Sequence, residues 1–254
     1  MPLKLVVGNL KMNILSPMER ERYFDLLKKE LKGKRLGKIE IILCPPHIHL
    51  ESFFKVLGKK IKIGALNMFW EREGSFTGEI SPAMIKNFGG EYVIIGHSER
   101  RRYFCENDQE INLKMEAALK NGLKPILCVG DREQKPNSAA VIIGQLKNCL
   151  DKVTAARLEN VIICYEPVWA ISSNNPDHLP TTNDVMSARL IIKKFLVEKY
   201  GARTADKVRI IYGGSVNSKN AKKVCLEPGM DGVLVGRESL APYEFVKIAE
   251  IING

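Results

Sequence analysis

Long apolar runs are missing from this chain. Its aliphatic stretches, such as residues 3–7 and 39–43, fall far short of the roughly 20 apolar residues that a bilayer-crossing helix needs. The first residues show neither the extended apolar region nor the small-residue cleavage site of a secretory signal. A cytoplasmic protein with no membrane partner is expected. Paired cysteines are missing as well: Cys44, Cys105, Cys128, Cys149, Cys164 and Cys225 are scattered with no C-x-x-C among them. A chain of this size has no need of disulfide staples, so reduced thiols are expected. Histidine is scarce, with His47, His49, His97 and His178 forming neither an H-E-x-x-H nor a zinc-spaced cluster with cysteine. No metal is expected. A strand-associated G-x-G-x-x-G with a following acid is also lacking, so no dinucleotide is expected. Without a Pro/Gly/Ser-rich linker or a low-complexity tract, residues 1–254 read as a single domain.

What is present is a chain of 254 residues, 45% hydrophobic, long enough to bury one large core. Its formal charge of +10 raises the question of nucleic acid. The charge suits a small anion equally well. The runs Lys28-Lys29, Lys32-Gly33-Lys34-Arg35 and Lys59-Lys60 lie in or beside predicted helices, where a solvated outer face is the plain reading. Steering of a phosphorylated ligand is compatible with it.

Eight short β-branched or aliphatic runs recur, at residues 5–7, 39–43, 61–63, 92–95, 125–129, 161–164, 208–211 and 232–235. Their continuous apolar character predicts strands buried on both faces, as in a parallel sheet. Between them the spacing of Tyr23, Leu26, Leu27 and Leu31, and of Ile111, Met115, Ala118 and Leu119, predicts amphipathic helices. Eight strand-then-helix units predict an α/β protein of the (β/α)8, or TIM, barrel class. An open doubly wound sheet is the alternative, since periodicity alone does not show closure.

In such a barrel the carboxyl ends of the strands carry the chemistry. After the first run come Asn9 and Lys11, two apart and able to face one ligand from an extended segment; an Asx-type turn beside a surface lysine is the other reading. The fourth run leads into Gly96-His97-Ser98-Glu99-Arg100-Arg101, with Ser98 a candidate N-cap and His97 at a helix start, where backbone N–H groups disfavour the charged ring; a structural or capping histidine is the other reading. After the sixth comes Tyr165-Glu166-Pro167-Val168-Trp169-Ala170-Ile171, a carboxylate before an apolar segment that could close over it; a salt-bridged Glu beside a packed Trp is the other reading. Water exclusion there is expected to raise its basicity, as a general base requires. Polar residues 172–181 follow as a functional loop. The turns Tyr212-Gly213-Gly214-Ser215-Val216 and Val235-Gly236-Arg237, after the seventh and eighth runs, can present N–H groups to a phosphate; glycines serving only tight turns are the alternative.

Taken in order, Gly-Asn-x-Lys-Met-Asn, Gly-His-Ser-Glu-Arg-Arg, Tyr-Glu-Pro-Val-Trp-Ala-Ile, Tyr-Gly-Gly-Ser-Val and Asp-Gly-x-Leu-Val-Gly resemble the triosephosphate isomerases over nearly the whole chain. The resemblance implies an aldose-ketose isomerase of glycolysis and gluconeogenesis, interconverting dihydroxyacetone phosphate and D-glyceraldehyde 3-phosphate through an enediolate without a cofactor. It implies Glu166 as the base, His97 as the group that polarises the carbonyl and shuttles protons, and Lys11 as the charge that stabilises the enediolate. Asn9, Lys11, Ser172, Ser215, Gly214, Gly236 and Arg237 would bind substrate, with Glu99 and Cys128 in support. Residues 74–80 look like the family's dimer loop, which implies a homodimer with Thr77 reaching the neighbouring site.

The chain departs from the family pattern at Leu10 (commonly Trp), Leu66 (Gln), Cys105 (Gly) and Asp131 (Glu), and Ser172-Ser173-Asn174 stands for the usual Gly-Thr-Gly. An aldolase-type barrel would need a Schiff-base lysine at a strand end or a metal cluster, and neither is evident. The remaining alternative is a basic barrel with impaired catalysis that binds a phosphate ligand or nucleic acid; the resemblance itself implies no nucleic-acid partner.

Overall fold

Each of the eight apolar runs forms a strand in a computed structural model of the chain, which describes residues 3–131, 138–171 and 179–254. The strands are β1 (Lys4–Asn9), β2 (Ile39–Cys44), β3 (Lys62–Ala65), β4 (Tyr92–Ile95), β5 (Lys124–Val129), β6 (Ile162–Tyr165), β7 (Arg209–Tyr212) and β8 (Gly232–Val235). They pair in sequence order, all in parallel, and β8 returns to pair with β1, so that Leu5 faces Gly232 and Gly8 faces Val235. That last pairing excludes the open doubly wound sheet. The fold is a (β/α)8 barrel.

The strands separate two apolar clusters, which is why their sequences run apolar on both faces. Leu5, Val7, Ile42, Tyr92, Ile94, Ile126, Ile162, Ile211 and Leu234 fill the barrel interior. Val6, Leu43, Val93, Leu127, Ile163 and Val233 point outward into a larger layer shared with the helices. Helix α1 (Pro17–Leu31) starts on a Ser16 side-chain cap with proline in its first turn, an arrangement that satisfies end N–H groups and suits the fixed proline angle. It buries Tyr23, Phe24 and Leu27, whereas Leu26, expected in the same stripe, is exposed. Two short helices follow, α2 (Leu50–Leu57) and α3 (Pro82–Asn87), and then α4 (Ser98–Tyr103). Helix α5 (Asp108–Lys120) opens on an Asn107/Glu110 capping box and buries Ile111, Met115 and Ala118 as its periodicity predicts.

Among the described residues the remaining α-helices are α6 (Ser138–Cys149), α7 (Ala155–Leu158), α8 (Thr182–Tyr200), α9 (Ala202–Ala205) and α10 (Pro242–Asn253). A second capping box, Thr181 with Asp184, begins α8. Among the described residues no helix is long and apolar enough to cross a membrane.

Gly232 decides whether the ring can close. A Cβ there would lie 2.1 Å from the Leu5 carbonyl oxygen, so β8 reaches β1 only because the side chain is absent.

Candidate active site

Strand β1 ends at Asn9, and the chain then turns sharply. The Asn9 Oδ1 accepts the Lys11 N–H at 3.1 Å, and Lys11 takes a left-handed φ of 50°. The segment is therefore an Asx-type turn, not the extended stretch that would set both side chains on one face. The turn nevertheless delivers both residues to one cavity, where Lys11 Nζ forms an ion pair with Glu99.

Beyond β4, Gly96 adopts a φ of 72°, its carbonyl held at 2.8 Å by Arg101 Nε, and α4 begins. The N-cap is His97, not Ser98: the ring Nδ1 accepts the Glu99 N–H at 3.2 Å. A neutral ring that accepts at Nδ1 carries its proton on Nε2. That nitrogen lies 2.9 Å from Glu166 Oε1. Ser98 instead spends its backbone N–H on Glu166 Oε2, at 3.0 Å.

Glu166 is the residue after β6, and the ladder continues past the strand end to hold it. Its N–H reaches the Val129 carbonyl at 2.8 Å, while Gly213 N–H reaches the Tyr165 carbonyl at 2.8 Å. From below, Gly130 comes so close that a Cβ would lie 1.9 Å from the Glu166 carbonyl oxygen. The amide of Gln145 grips Gly130 on both sides, accepting its N–H at 2.8 Å and donating to its carbonyl at 3.1 Å. The carboxylate is 97% buried.

Burial disfavours a charge on Glu166, but the His97 imidazole and the Ser98 N–H more than offset it and hold the carboxyl below its ordinary value. Burial disfavours the His97 imidazolium too, yet the facing carboxylates of Glu166 and Glu99 raise the ring above its ordinary value. Desolvation was expected to make this Glu more basic; direct contact with His97 reverses the sign while the two touch.

The cavity between these groups measures about 330 Å³. Asn9, Lys11, His97, Glu99, Glu166, Gly214, Ser215, Gly236 and Arg237 all line it. Ser215 is anchored by its N–H and hydroxyl, both on the Ala170 carbonyl, at 3.3 and 2.8 Å. Ser239, fully buried, ties the strand ends on either side of the closure, its hydroxyl sharing one proton between the Gly236 carbonyl at 2.6 Å and the Asn9 carbonyl at 3.2 Å.

Two expected residues stand apart. Cys128 lies inside the barrel, where its contact with the Cys164 thiol and its burial push it well above the ordinary thiol value. Thr77 sits in the exposed stretch 71–79, away from its own chain's cavity. That stretch runs beside a second cavity of about 450 Å³, which shares Asn9, Lys11, His97 and Glu99 with the first. Ser172 lies outside the described residues. Asn13 and Asn217 also line the first cavity and were not singled out in sequence, although Asn13 ends one motif and Asn217 directly follows another.

A family model described as triosephosphate isomerase matches residues 4–252. The chain belongs to the triosephosphate isomerase family. It is 43% identical to the triosephosphate isomerase of Carboxydothermus hydrogenoformans over 96% of this chain and 97% of that one. With the triosephosphate isomerase of Thermoanaerobacter sp. strain X514 it shares 41% identity over 96% and 97% of the two chains. With that of Lactobacillus helveticus it shares 37% over 96% of each.

For a triosephosphate isomerase family chain, the departure at Cys105 now has a physical meaning. Its φ is 54°, a conformation that glycine takes freely and a side-chain-bearing residue takes at a cost. Leu10, in place of the common Trp, is fully buried against the helical layer, and Asp131 is buried beyond the end of β5.

Proposed function

We propose that this chain, acting as one catalytic domain over residues 1–254, interconverts dihydroxyacetone phosphate and D-glyceraldehyde 3-phosphate. The observation that carries the reading is the buried Glu166–His97 hydrogen bond at 2.9 Å, set over a small cavity that also holds Lys11 and two glycine-bearing turns. Isomerisation of this kind asks for a base that takes a proton from carbon, a donor that takes up the charge on oxygen, and a dry site between them.

In this reading a substrate carbonyl oxygen accepts the His97 Nε2–H in place of Glu166. Released from that contact, the carboxylate loses the partner that lowers it, and burial makes it a stronger base. It takes the proton from the carbon beside the carbonyl, and the carbonyl oxygen gains the electron pair. His97 Nε2–H and the Lys11 ammonium stabilise that oxygen, His97 relays a proton between the two oxygens, and Glu166 returns its proton to the neighbouring carbon. No redox equivalent enters or leaves.

Asn9 orients the substrate. Ser215, with the backbone of Gly214, Gly236 and Arg237, holds the phosphate at the turns after β7 and β8, the usual anion position in this barrel class. By family resemblance Ser172 adds a further N–H, Glu99 positions Lys11, Cys128 packs beneath the base, and the enzyme works as a cytoplasmic homodimer in which Thr77 enters the partner's site. Nucleic acid and membranes have no part in the reading.

The test is turnover of glyceraldehyde 3-phosphate by the purified chain without added metal or nucleotide, with Glu166→Gln as the paired variant. Loss of a general base lowers kcat by about 10² to 10⁴-fold. A Glu166→Gln variant with undiminished kcat would remove Glu166 from the role of base. A folded wild-type chain with no turnover would overturn the proposal.

A further inference from the structure

The lysine runs of the sequence are left unused by the isomerase site. Three of them meet around a single cavity of about 840 Å³ at the opposite end of the barrel, between the C-terminal ends of α1 and α2 and the starts of β2 and β3. It is larger than the catalytic cavity and lies in the range that holds a small organic ligand.

Lys28, Lys32, Lys34, Lys59, Lys60 and Lys62 ring it. Lys34 pairs with Glu250 at 2.6 Å and Lys62 with Glu91 at 2.8 Å. The other four have no carboxylate within 4.0 Å among the described residues, and the one acidic side chain in the wall is Glu40. Lysine at a helix C-terminus commonly answers the helix dipole, so that explanation has to be measured first. Six lysines, set against three carboxylates and two helix ends worth about half a charge each, leave about two positive charges unanswered.

Beneath the lysines the floor is aliphatic. Leu31, Leu36, Ile39, Leu57 and Ile61 form it, and Val56 is left 38% exposed beside them. Among the described residues no aromatic side chain lines the cavity. Sequence-tolerant binding of single-stranded nucleic acid relies on aromatic platforms for the bases, which are missing. A bilayer is met by a flat or convex amphipathic face, whereas this surface is concave.

We propose that this cavity binds one molecule of an aliphatic phosphomonoester, the dianionic head among the lysines and the chain along the Leu/Ile floor. A phosphomonoester carries nearly two negative charges at neutral pH, which matches the unanswered charge.

Decyl phosphate, kept below its aggregation concentration, is the probe, titrated calorimetrically into the full chain at low salt. Inorganic phosphate and decanol serve as head-only and tail-only probes. The expected result is one decyl phosphate per chain, bound at least about tenfold more tightly than either half. That binding should persist under saturating dihydroxyacetone phosphate and weaken as salt screens the lysines. Lys32→Glu with Lys60→Glu, both exposed and unpartnered, should weaken it by about tenfold or more while kcat and KM for isomerisation stay at wild-type values. Val56→Asp should weaken it through the floor.

Absence of binding overturns the proposal. So does displacement by dihydroxyacetone phosphate with no effect of the lysine variants, which would put the probe in the catalytic cavity. Equal affinity for inorganic phosphate removes the floor from the site and the proposal with it. A single-stranded oligonucleotide that binds and is lost with Lys32→Glu and Lys60→Glu, where decyl phosphate does not bind, would assign the surface to nucleic acid instead.

Discussion

Glu166 and His97 share one proton's worth of chemistry, and each sets the acidity of the other. Because the pair holds the Glu166 carboxyl below its ordinary value in the unliganded chain, the acid limb of kcat/KM, which reports the free enzyme, is expected below the ordinary value of a glutamate. His97→Gln removes the ring and leaves burial unopposed by it, so the limb should move up; a carbon-detected NMR titration of the Glu166 carboxyl checks the same shift without relying on activity. A limb unmoved in the variant would mean that His97 does not set the carboxyl's acidity. The linkage to folding has a definite sign. A carboxyl lowered in the folded state stabilises the fold above its unfolded value, and that contribution is lost as pH falls through the folded value. Sequence named this pair and missed its coupling. The motifs place His97 and Glu166 at two strand ends, but 68 residues of chain separate Ser98 from Glu166, and only the closed barrel brings them into contact. The turn at Lys11 was hidden for a related reason: alternation arguments assume extended backbone, and the Asn9 side chain bends it.

The helices and strands were largely legible because each obeys one local rule. Continuous apolar runs follow from strands buried on two faces, and i, i+3, i+4 spacing follows from one buried stripe, as at Ile111, Met115 and Ala118. The caps were less legible, since a cap is decided by which side chain reaches an N–H. Ser98 has the right residue type, yet His97 sits one position earlier with a ring nitrogen at 3.2 Å. Helix α8 tests how much one cap matters. The Thr181 Oγ1 accepts the Asp184 N–H at 3.2 Å, and Asp184 returns the bond to the Thr181 N–H at 2.8 Å. Thr181→Ala should cost about 1 kcal/mol, read as a lower urea midpoint at unchanged slope. A variant as stable as wild type would mean that water serves these N–H groups equally well.

At the scale of the molecule, closure rests on β8 meeting β1. Gly232→Ala would push a methyl group into the Leu5 carbonyl, 2.1 Å away, and should destabilise the fold by at least about 3 kcal/mol or leave it insoluble; a soluble variant with a wild-type denaturation midpoint would show that the strands can part there cheaply. Assembly is a separate question, which one chain's sequence reaches only by resemblance. If Thr77 enters a partner's site, sedimentation should give a dimer, and replacing the exposed residues 71–79 with a short turn should yield a monomer with reduced kcat. A shortened chain that still sediments as a dimer would place the interface elsewhere.

The closing strand pair also puts a date on activity. Asn9 and Lys11 stand on one side of the β1–β8 junction, Gly236 and Arg237 on the other, and the Ser239 hydroxyl spans the two. Most of the described chain lies between these two pairs, so a ribosome delivers the second long after the first. If the proposed roles hold, a nascent chain that has made Glu166 and His97 still lacks its anion site and cannot work on triose phosphate until β8 is in place. Turnover becomes a birth certificate, issued only when the last strand has found the first.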